Sequence, residues 1–391
     1  MDAVTARLLL TPDGLALVDA LPPYDEKRSL AMGESMRAQG VDPRLVAAAL
    51  TQSRLRADAV GKLGDFAGGM LLTQDGLEQA TRLTVAARHA ARYRDAGVTS
   101  VADLTAGIGA DAMALAALGL DVTAIERDEA TALLADHNLR HWASARVVHG
   151  DSMSLAASLD VDGLFADPAR RTARGRRHDP QDYSPALDDV LALRSSHPAL
   201  GVKVGPAIPH EAIPADAEAE WVSVDGSVVE AALWHGPLAT APGHAALVVR
   251  GDTAHRLTGS TDRADAGELT DYLYEPDGAV IRAGLVGEVA ARLDGHLVDP
   301  MIAYIAAPTP VETPFARGYQ VLETVPLKPK ALAAALRARG VGTVDIKKRG
   351  VDITPEQLRP HLKLKGDERL TVILTRMGNR RLAILAEPLP A

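Results

Sequence analysis

Val101-Ala-Asp-Leu-Thr-Ala-Gly-Ile-Gly-Ala-Asp111 is the stretch from which this chain is best read. An apolar run ends in an acid, passes through Gly107-Ile-Gly109 and enters the Ala-rich run 111–118. That spells a strand, a tight turn and the start of a helix. Glycine reaches positive φ without steric cost and lets a ligand approach bare backbone. The helix start beside it presents N–H groups that have no partner within the helix. Such a unit holds a nucleotide-like cofactor over the carboxyl end of a parallel sheet. Written as Gly107-x-Gly109-x-x-Ala112, the turn fits a dinucleotide fingerprint, with Glu126 placed for a ribose.

Three further strand ends extend the pattern. Asp121-Val-Thr-Ala-Ile-Glu126 ends in an acid that can take both ribose hydroxyls. Ala145-Arg-Val-Val-His-Gly-Asp151 ends in an acid that can accept from an adenine amino group, or can cap a helix starting at Ser152. Val161-Asp-Gly-Leu-Phe-Ala-Asp167-Pro168-Ala169-Arg170 ends in Asp-Pro. A dinucleotide-dependent oxidoreductase has no particular need for the last two ends, and no Tyr-x-x-x-Lys proton-transfer pair is evident.

Residues 98–206 resemble the class I S-adenosylmethionine-dependent methyltransferases. The Asp167-Pro168-Ala169-Arg170 element resembles the [Asp/Asn]-Pro-Pro-[aromatic] motif of methyltransferases that act on nucleic-acid bases, with Ala169 and Arg170 in place of the second proline and the aromatic. Residues 318–388 resemble the THUMP-like domain of one group of bacterial methyltransferases. That likeness is carried by Val321-Leu-Glu-Thr-Val-Pro, Val344-Asp-Ile-Lys-Lys-Arg-Gly350 and His361-Leu-Lys-Leu-Lys-Gly366, and Leu77-Glu-Gln-Ala-Thr-Arg82 looks like the same group. The resemblance implies S-adenosyl-L-methionine as cofactor and RNA, a tRNA or rRNA, as substrate. It implies cofactor contacts at Asp103, Thr105, Gly107, Gly109, Glu126, Arg127, Asp151, Ser152 and Asp167. Asp167 and the carbonyl of Pro168 are the expected catalytic groups, because together they can accept the hydrogens of an exocyclic amine and aim its lone pair. Asp128 is a second ribose candidate, and Phe66, Trp142 and Tyr183 could stack a base. A noncatalytic RNA-binding protein that keeps the methyltransferase fold is the rival from another class.

The expected fold class is α/β: a Rossmann-like class I methyltransferase sheet, a helical N-terminal extension and a small basic α+β C-terminal domain. The expected division is a helical extension over 1–95, a cofactor-binding domain over 96–250, a connecting segment over 251–316 and the THUMP-like domain over 317–391. Apolar spacing predicts helices over 29–39 and 44–63, and a Thr73 cap opens one running to 93. Further helices are expected over 184–197, 279–293, 330–339 and 355–362, and Asp225-Gly226 signals a hairpin. Pro308, Pro310 and Pro314 read as a linker.

Composition narrows the class. The 391 residues are 47% hydrophobic but only 3% aromatic, so the core is Ala, Val and Leu. There is no cysteine, which excludes disulfides, thiolate metal sites and a cysteine nucleophile. His137, His141 and His149 show no metal-ligand spacing, so no metal is expected. The opening Met1-Asp-Ala-Val-Thr-Ala-Arg lacks the basic start and apolar block of a signal peptide, and no apolar run is long enough to span a bilayer; the cytoplasm is the expected location, with no membrane partner. Net charge is −9, yet residues 326–381 carry 14 Lys or Arg against 5 Asp or Glu, leaving −18 for the rest. An acidic body with a basic tail domain suits localised contact with a polyanion. The candidate RNA contacts are Arg170, Arg171 and Arg174, in an arginine run that continues to Arg176 and Arg177, together with Lys347, Lys348 and Arg349.

Overall fold

A computed structural model describes residues 1–390 apart from 170, 173–174 and 177–181, and only the backbone at 171–172 and 175–176. It divides into two compact units. The first holds residues 1–204, 208–217 and 233–241; the second holds 205–207, 218–232 and 242–391.

The first unit opens with six helices: Ala3–Leu9 (α1), Pro12–Ala20 (α2), Glu26–Ala38 (α3), Pro43–Leu63 (α4), Gln74–Gln79 (α5) and Leu83–Asp95 (α6). Strands and helices then alternate: Ser100–Asp103 (β1), Ala110–Ala117 (α7), Asp121–Glu126 (β2), Glu129–Leu139 (α8), Ala145–His149 (β3), Ser152–Leu155 (α9) and Gly163–Ala166 (β4). A two-stranded backbone hairpin, Arg171–Thr172 (β5) with Gly175–Arg176 (β6), precedes Leu187–Ala192 (α10) and Ala199–Val204 (β7). The parallel strands lie in the order β7-β4-β1-β2-β3. Strand order therefore reverses between β1 and β4, where a ligand crevice forms outside the carboxyl ends.

The helical extension is no separate body. Leu9 of α1, Val18 of α2 and Leu45 of α4 share one apolar core with Ala130 and Leu134 of α8. Buried Asn138 of α8 completes the attachment. Its side chain accepts from the Leu71 N–H at 2.8 Å and donates to the carbonyls of Leu71 (3.0 Å) and Ile108 (2.9 Å), so segment 70–72 and the glycine turn are stapled to one side chain. The expected helix from Thr73 to 93 is instead two. Thr73 does cap α5, accepting from the Gly76 N–H, but the chain breaks at residues 80–82. The break turns Thr81 into the interior, where its hydroxyl meets Asp111.

In the second unit Glu218–Val224 (β8) turns through Asp225 (φ 49°) and Gly226 (φ 80°) into Ser227–Trp234 (β9). Two positive φ values in succession define the twist-matched hairpin turn that Asp-Gly favours. Gly243–Arg250 (β10) runs parallel to β8, and Thr253–Thr258 (β11) runs antiparallel to β10. Tyr272–Pro276 (β12), Gly278–Arg282 (α11), Val286–Arg292 (α12), His296–Asp299 (β13) and Ile302–Ala307 (β14) follow. After them come Ala316–Pro326 (β15), Pro329–Ala338 (α13), Val341–Lys348 (β16), Pro355–Leu362 (α14), Glu368–Met377 (β17) and Arg380–Pro388 (β18). Seven of these strands form one sheet in the order β13-β14-β12-β15-β18-β17-β16.

That sheet corrects the reading of 251–316 as a connector. β12 pairs antiparallel with β15, and β14 with β12, so these residues are integral to the sheet that carries the basic segment. The single helix expected over 279–293 is split at Gly284, which stands at φ 75° between α11 and α12. Both sheet faces are buried, as strand alternation requires. Val372 and Leu374 pack beneath α13 and α14 with Leu332, Leu336, Leu358 and Leu362, while Ile373 between them joins Tyr304, Tyr319 and Ile384 on the other face.

Candidate active site

A cleft of about 570 Å³ opens at the carboxyl ends of β1, β2, β3 and β4. The glycine turn forms its floor. Gly107 (φ 55°) and Gly109 (φ 89°) both hold the left-handed backbone, and Gly109 is the N-cap of α7. A Cβ built on Gly107 would meet nothing within 4 Å, so the space above it is open, whereas one on Gly109 would touch Leu139 at 3.5 Å. Gly107 lines the cleft and Gly109 does not; the second glycine shapes the turn from below.

Glu126, at the end of β2, has a role that the sequence reading lacked. One carboxylate oxygen accepts from the Gly107 N–H at 2.9 Å, and the other accepts from the Asp128 N–H at 2.8 Å. It locks the turn while lining the cleft. Each oxygen keeps a further lone pair, so ribose hydroxyls can still be accepted. Glu126→Ala should therefore weaken S-adenosylmethionine binding at least about tenfold, through loss of charge-assisted hydrogen bonds and of a fixed turn. Calorimetry checks this, and unchanged affinity would remove Glu126 from the site.

The other sequence candidates separate into lining and support. Thr105, Arg127, Asp151, Ser152 and Asp167 line the cleft, as does Asp128. Asp151 also caps α9, accepting from the Met153 N–H, and Asp128 caps α8 through Thr131. Asp103 does not reach the cleft. It is 1% exposed and accepts from the Thr105 N–H at 3.1 Å. Burial, with the neighbouring charge of Asp111, pushes its carboxyl well above the usual range. Direct contact with a bound ligand is replaced by support of the turn. Pro168 is buried next to Asp167 and does not line the cleft, whereas Ala169 does.

Ala169 and Ser184 exchange two backbone hydrogen bonds, of 2.9 and 3.0 Å, at the cleft rim. Arg170, Arg174 and Arg177 lie outside the described residues, as do the side chains of Arg171 and Arg176. Of the stacking candidates, Tyr183 is buried, and Phe66 and Trp142 pack on one another with centroids 6.0 Å apart. Trp142 follows α8 and precedes β3, which places it toward the sheet edge opposite the cleft.

Four residues escaped the sequence reading: Thr81, His89, Asp111 and Lys203. Lys203, 6% exposed on β7, donates to Asp167 Oδ2 at 2.6 Å and to Thr81 Oγ at 2.8 Å. The Thr81 hydroxyl donates to Asp111 at 2.6 Å, and the second Asp111 oxygen lies 2.9 Å from His89 Nδ1. Burial alone would raise the Asp111 carboxyl; the His89 bond and the charges of His89 and Lys203 outweigh it and hold the carboxyl below its usual range. A lone lysine in the apolar run Leu200-Gly-Val-Lys-Val204, and a lone acid among the alanines of α7, were the available signals. Among the described residues no cluster of His, Asp and Glu has a metal-binding arrangement, and no helix is long and apolar enough to cross a membrane.

Family comparisons agree with this geometry. Residues 60–166 match the family described as "Putative SAM-dependent methyltransferase", residues 316–388 match "THUMP domain-like", and residues 2–59 match a domain of unknown function. Two uncharacterized S-adenosylmethionine-dependent methyltransferases of Mycobacterium tuberculosis, from strains CDC 1551 and H37Rv, are each 34% identical over 335 residues, covering 83% of this chain and 91% of theirs. Ribosomal RNA small subunit methyltransferase J of Shewanella loihica is 42% identical over 86 residues, 18% of this chain and 33% of that protein. A solved structure titled "putative methyltransferase" from Porphyromonas gingivalis W83 shares the fold, with a TM-score of 0.73 at 22% identity over 94% of this chain and 100% of that one. The chain belongs to the S-adenosylmethionine-dependent methyltransferases. The oxidoreductase reading of the glycine turn is thereby set aside.

Proposed function

We propose that this enzyme methylates an exocyclic amine of a nucleobase in RNA, in the cytoplasm. The observation that carries the reading is the placement of Asp167. It lines the same cleft as the glycine turn, at the β1/β4 reversal, so an acceptor beside it lies within reach of a methyl donor seated on Gly107. S-adenosylmethionine supplies an electrophilic methyl group on a sulfonium. Glu126 is assigned to the ribose, Asp151 and Ser152 to the adenine, and Thr105, Gly107 and Arg127 to the rest of the cofactor. Asp167 accepts an amine hydrogen, which turns the nitrogen lone pair toward the methyl carbon; the expected Pro168 carbonyl contact is dropped because Pro168 does not line the cleft. As the N–C bond forms the C–S bond breaks, S-adenosylhomocysteine leaves, and the proton shed by the methylated nitrogen passes to solvent by way of Asp167. No covalent enzyme intermediate is required.

RNA is favoured over a small molecule by three features. One is the name of the Shewanella relative, another the THUMP-like match, and the third the arginine run that follows Asp167-Pro168-Ala169 in the sequence. The basic segment needs revision, however. Lys347 and Arg349 both reach Glu275, at 2.5 and 3.6 Å, across the β-sheet of the second unit. Arg339, Arg369, Arg376, Arg380 and Arg381 also face acids. The exposed cations with no acidic partner among the described residues include Lys328, Lys330, Lys348, Arg359, Lys363 and Lys365. Lys348 is thus kept, and the other five replace Lys347 and Arg349 as the expected phosphate contacts.

Two variants test this. Lys348, Lys363 and Lys365 replaced together by Ala should weaken RNA binding and flatten its salt dependence by about one unit per lost phosphate contact. Lys347→Ala should lower thermal stability instead, because the largely buried Glu275 loses its nearest cation. RNA binding at several salt concentrations reads the first, and identical slopes would mean that RNA is held elsewhere. The methyl acceptor itself is identified by comparing modified nucleosides in RNA from cells with and without the gene.

A further inference from the structure

We infer that Lys203 is the positioning residue of the acceptor end of the cleft: its ammonium, clamped between Thr81 and Asp167, fixes the orientation of the Asp167 carboxylate and keeps it charged. The inference rests on the reading that Asp167 accepts hydrogens from the methyl acceptor.

A buried lysine is costly unless it is paired and hydrogen-bonded. Lys203 sits on a strand whose every residue is buried, with Val202 and Val204 on either side. A well-packed apolar residue would suit that strand better, so its ammonium calls for a reason. Its partners supply one. The Thr81 hydroxyl has one proton, which goes to Asp111, so toward Lys203 it acts as an acceptor. That order of donors runs one way, from Lys203 through Thr81 to the carboxylate shared with His89. It holds the lysine from the side of the 80–82 break and α7, where Thr81 and Asp111 also line the cleft. On the cleft side the ammonium grips Asp167 Oδ2, while the Asp167 backbone N–H donates to Thr105 Oγ at 2.6 Å. The carboxylate is thus held at both its backbone and its side chain, on the wall of the cleft.

Several charges surround Asp167 besides Lys203. Lys62 on α4 feels its field, and burial together with the charges of Lys203 and Arg82 brings that lysine down to about 8. Asp103 on β1 and Asp167 oppose each other's charge, Glu126 and Asp111 add to the negative field at Asp103, and Asp111 on α7 is itself stabilised by the charge of Lys203. In this crowd of acids Lys203 forms an ion pair with Asp167 at 2.6 Å. Without it, the carboxylate should take up a proton more readily and lose the ability to accept from an amine on that oxygen.

The test uses the full chain and needs no substrate for its first readout. In Lys203→Met, the Asp167 carboxyl, followed by carbon NMR, should titrate at least about one pH unit higher than in the parent. S-adenosylmethionine affinity should stay within about threefold, since Lys203 does not line the cleft. On an RNA that accepts methyl, kcat should fall at least about tenfold with little change in KM, and the acid limb of kcat should move up with the carboxyl. Lys203→Arg should restore most of the loss. A carboxyl that titrates unchanged in Lys203→Met overturns the inference. Should that variant fail to fold, Asp167→Asn reads the pair from the other side: the Lys203 ammonium should titrate lower than in the parent, and no change overturns the inference equally. Absence of methyl transfer by the parent to any RNA contradicts the substrate reading alone and leaves the two titrations to decide the role of Lys203.

Discussion

Asp167→Ala is expected to cut methyl transfer at least about 100-fold while S-adenosylmethionine affinity stays nearly constant, because the lost group orients the reacting nitrogen rather than the cofactor. An exocyclic amine is a poor nucleophile while its lone pair is delocalised into the ring. Holding a hydrogen on the Asp167 carboxylate localises that pair and points it at the methyl carbon. The alanine variant also strands Lys203, 6% exposed, without its carboxylate partner, so some thermal stability should be lost as well. Asp167→Asn separates the two effects. It keeps one acceptor oxygen for Lys203 but removes the charge and puts an NH2 donor where the second oxygen stood, so it should fold better than the alanine variant while turnover stays low. Single-turnover kinetics with saturating cofactor distinguishes them. Turnover within about a factor of two of the parent in Asp167→Ala would falsify the catalytic assignment.

Gly107→Val should reduce S-adenosylmethionine affinity at least about 100-fold with the fold retained. Two causes combine. At φ 55° a β-branched residue is strained, by roughly 1–2 kcal/mol for the backbone alone. Its side chain also extends into space that is open within 4 Å and belongs to the cleft, so the protein barely resists the substitution while the ligand is displaced. Gly109→Val behaves differently. Its branch meets Leu139 beneath the turn, so the expected result is lower stability together with weaker binding. Calorimetry and thermal melts of the two variants separate these outcomes. A Gly107→Val protein that binds as the parent does would show that the cofactor lies elsewhere.

What could be read from the sequence was what is local. The β1 strand, the two positive-φ glycines and the start of α7 are set within eleven residues, and steric rules for glycine suffice there. The Asp225-Gly226 hairpin is equally local. The acids at the ends of β2, β3 and β4 could be found because parallel strands deliver their carboxyl ends to one edge. Contacts across long separations were not legible. Thr81, Asp111 and Lys203 meet only after the sheet has formed, and Thr81 had to interrupt a helix that its neighbours would otherwise continue. The misread 251–316 segment has a similar cause. β12, β13 and β14 are four to six residues long, too short to announce themselves by alternation, and the partners of β12 lie some 30 to 50 residues on, in β14 and β15. Lys347 and Arg349 looked like phosphate ligands because Glu275, 72 residues before Lys347, could not be placed against them.

Methyl transfer to RNA decides whether Asp167 orients a nucleobase amine. RNA from cells lacking the gene would be incubated with the purified enzyme and S-adenosylmethionine labelled in its methyl group, then digested to nucleosides. Label is expected in a single base-methylated nucleoside, on an exocyclic nitrogen, and is expected to be lost with Asp167→Ala. RNA that takes up no label, or label found on the ribose rather than the base, would contradict that role.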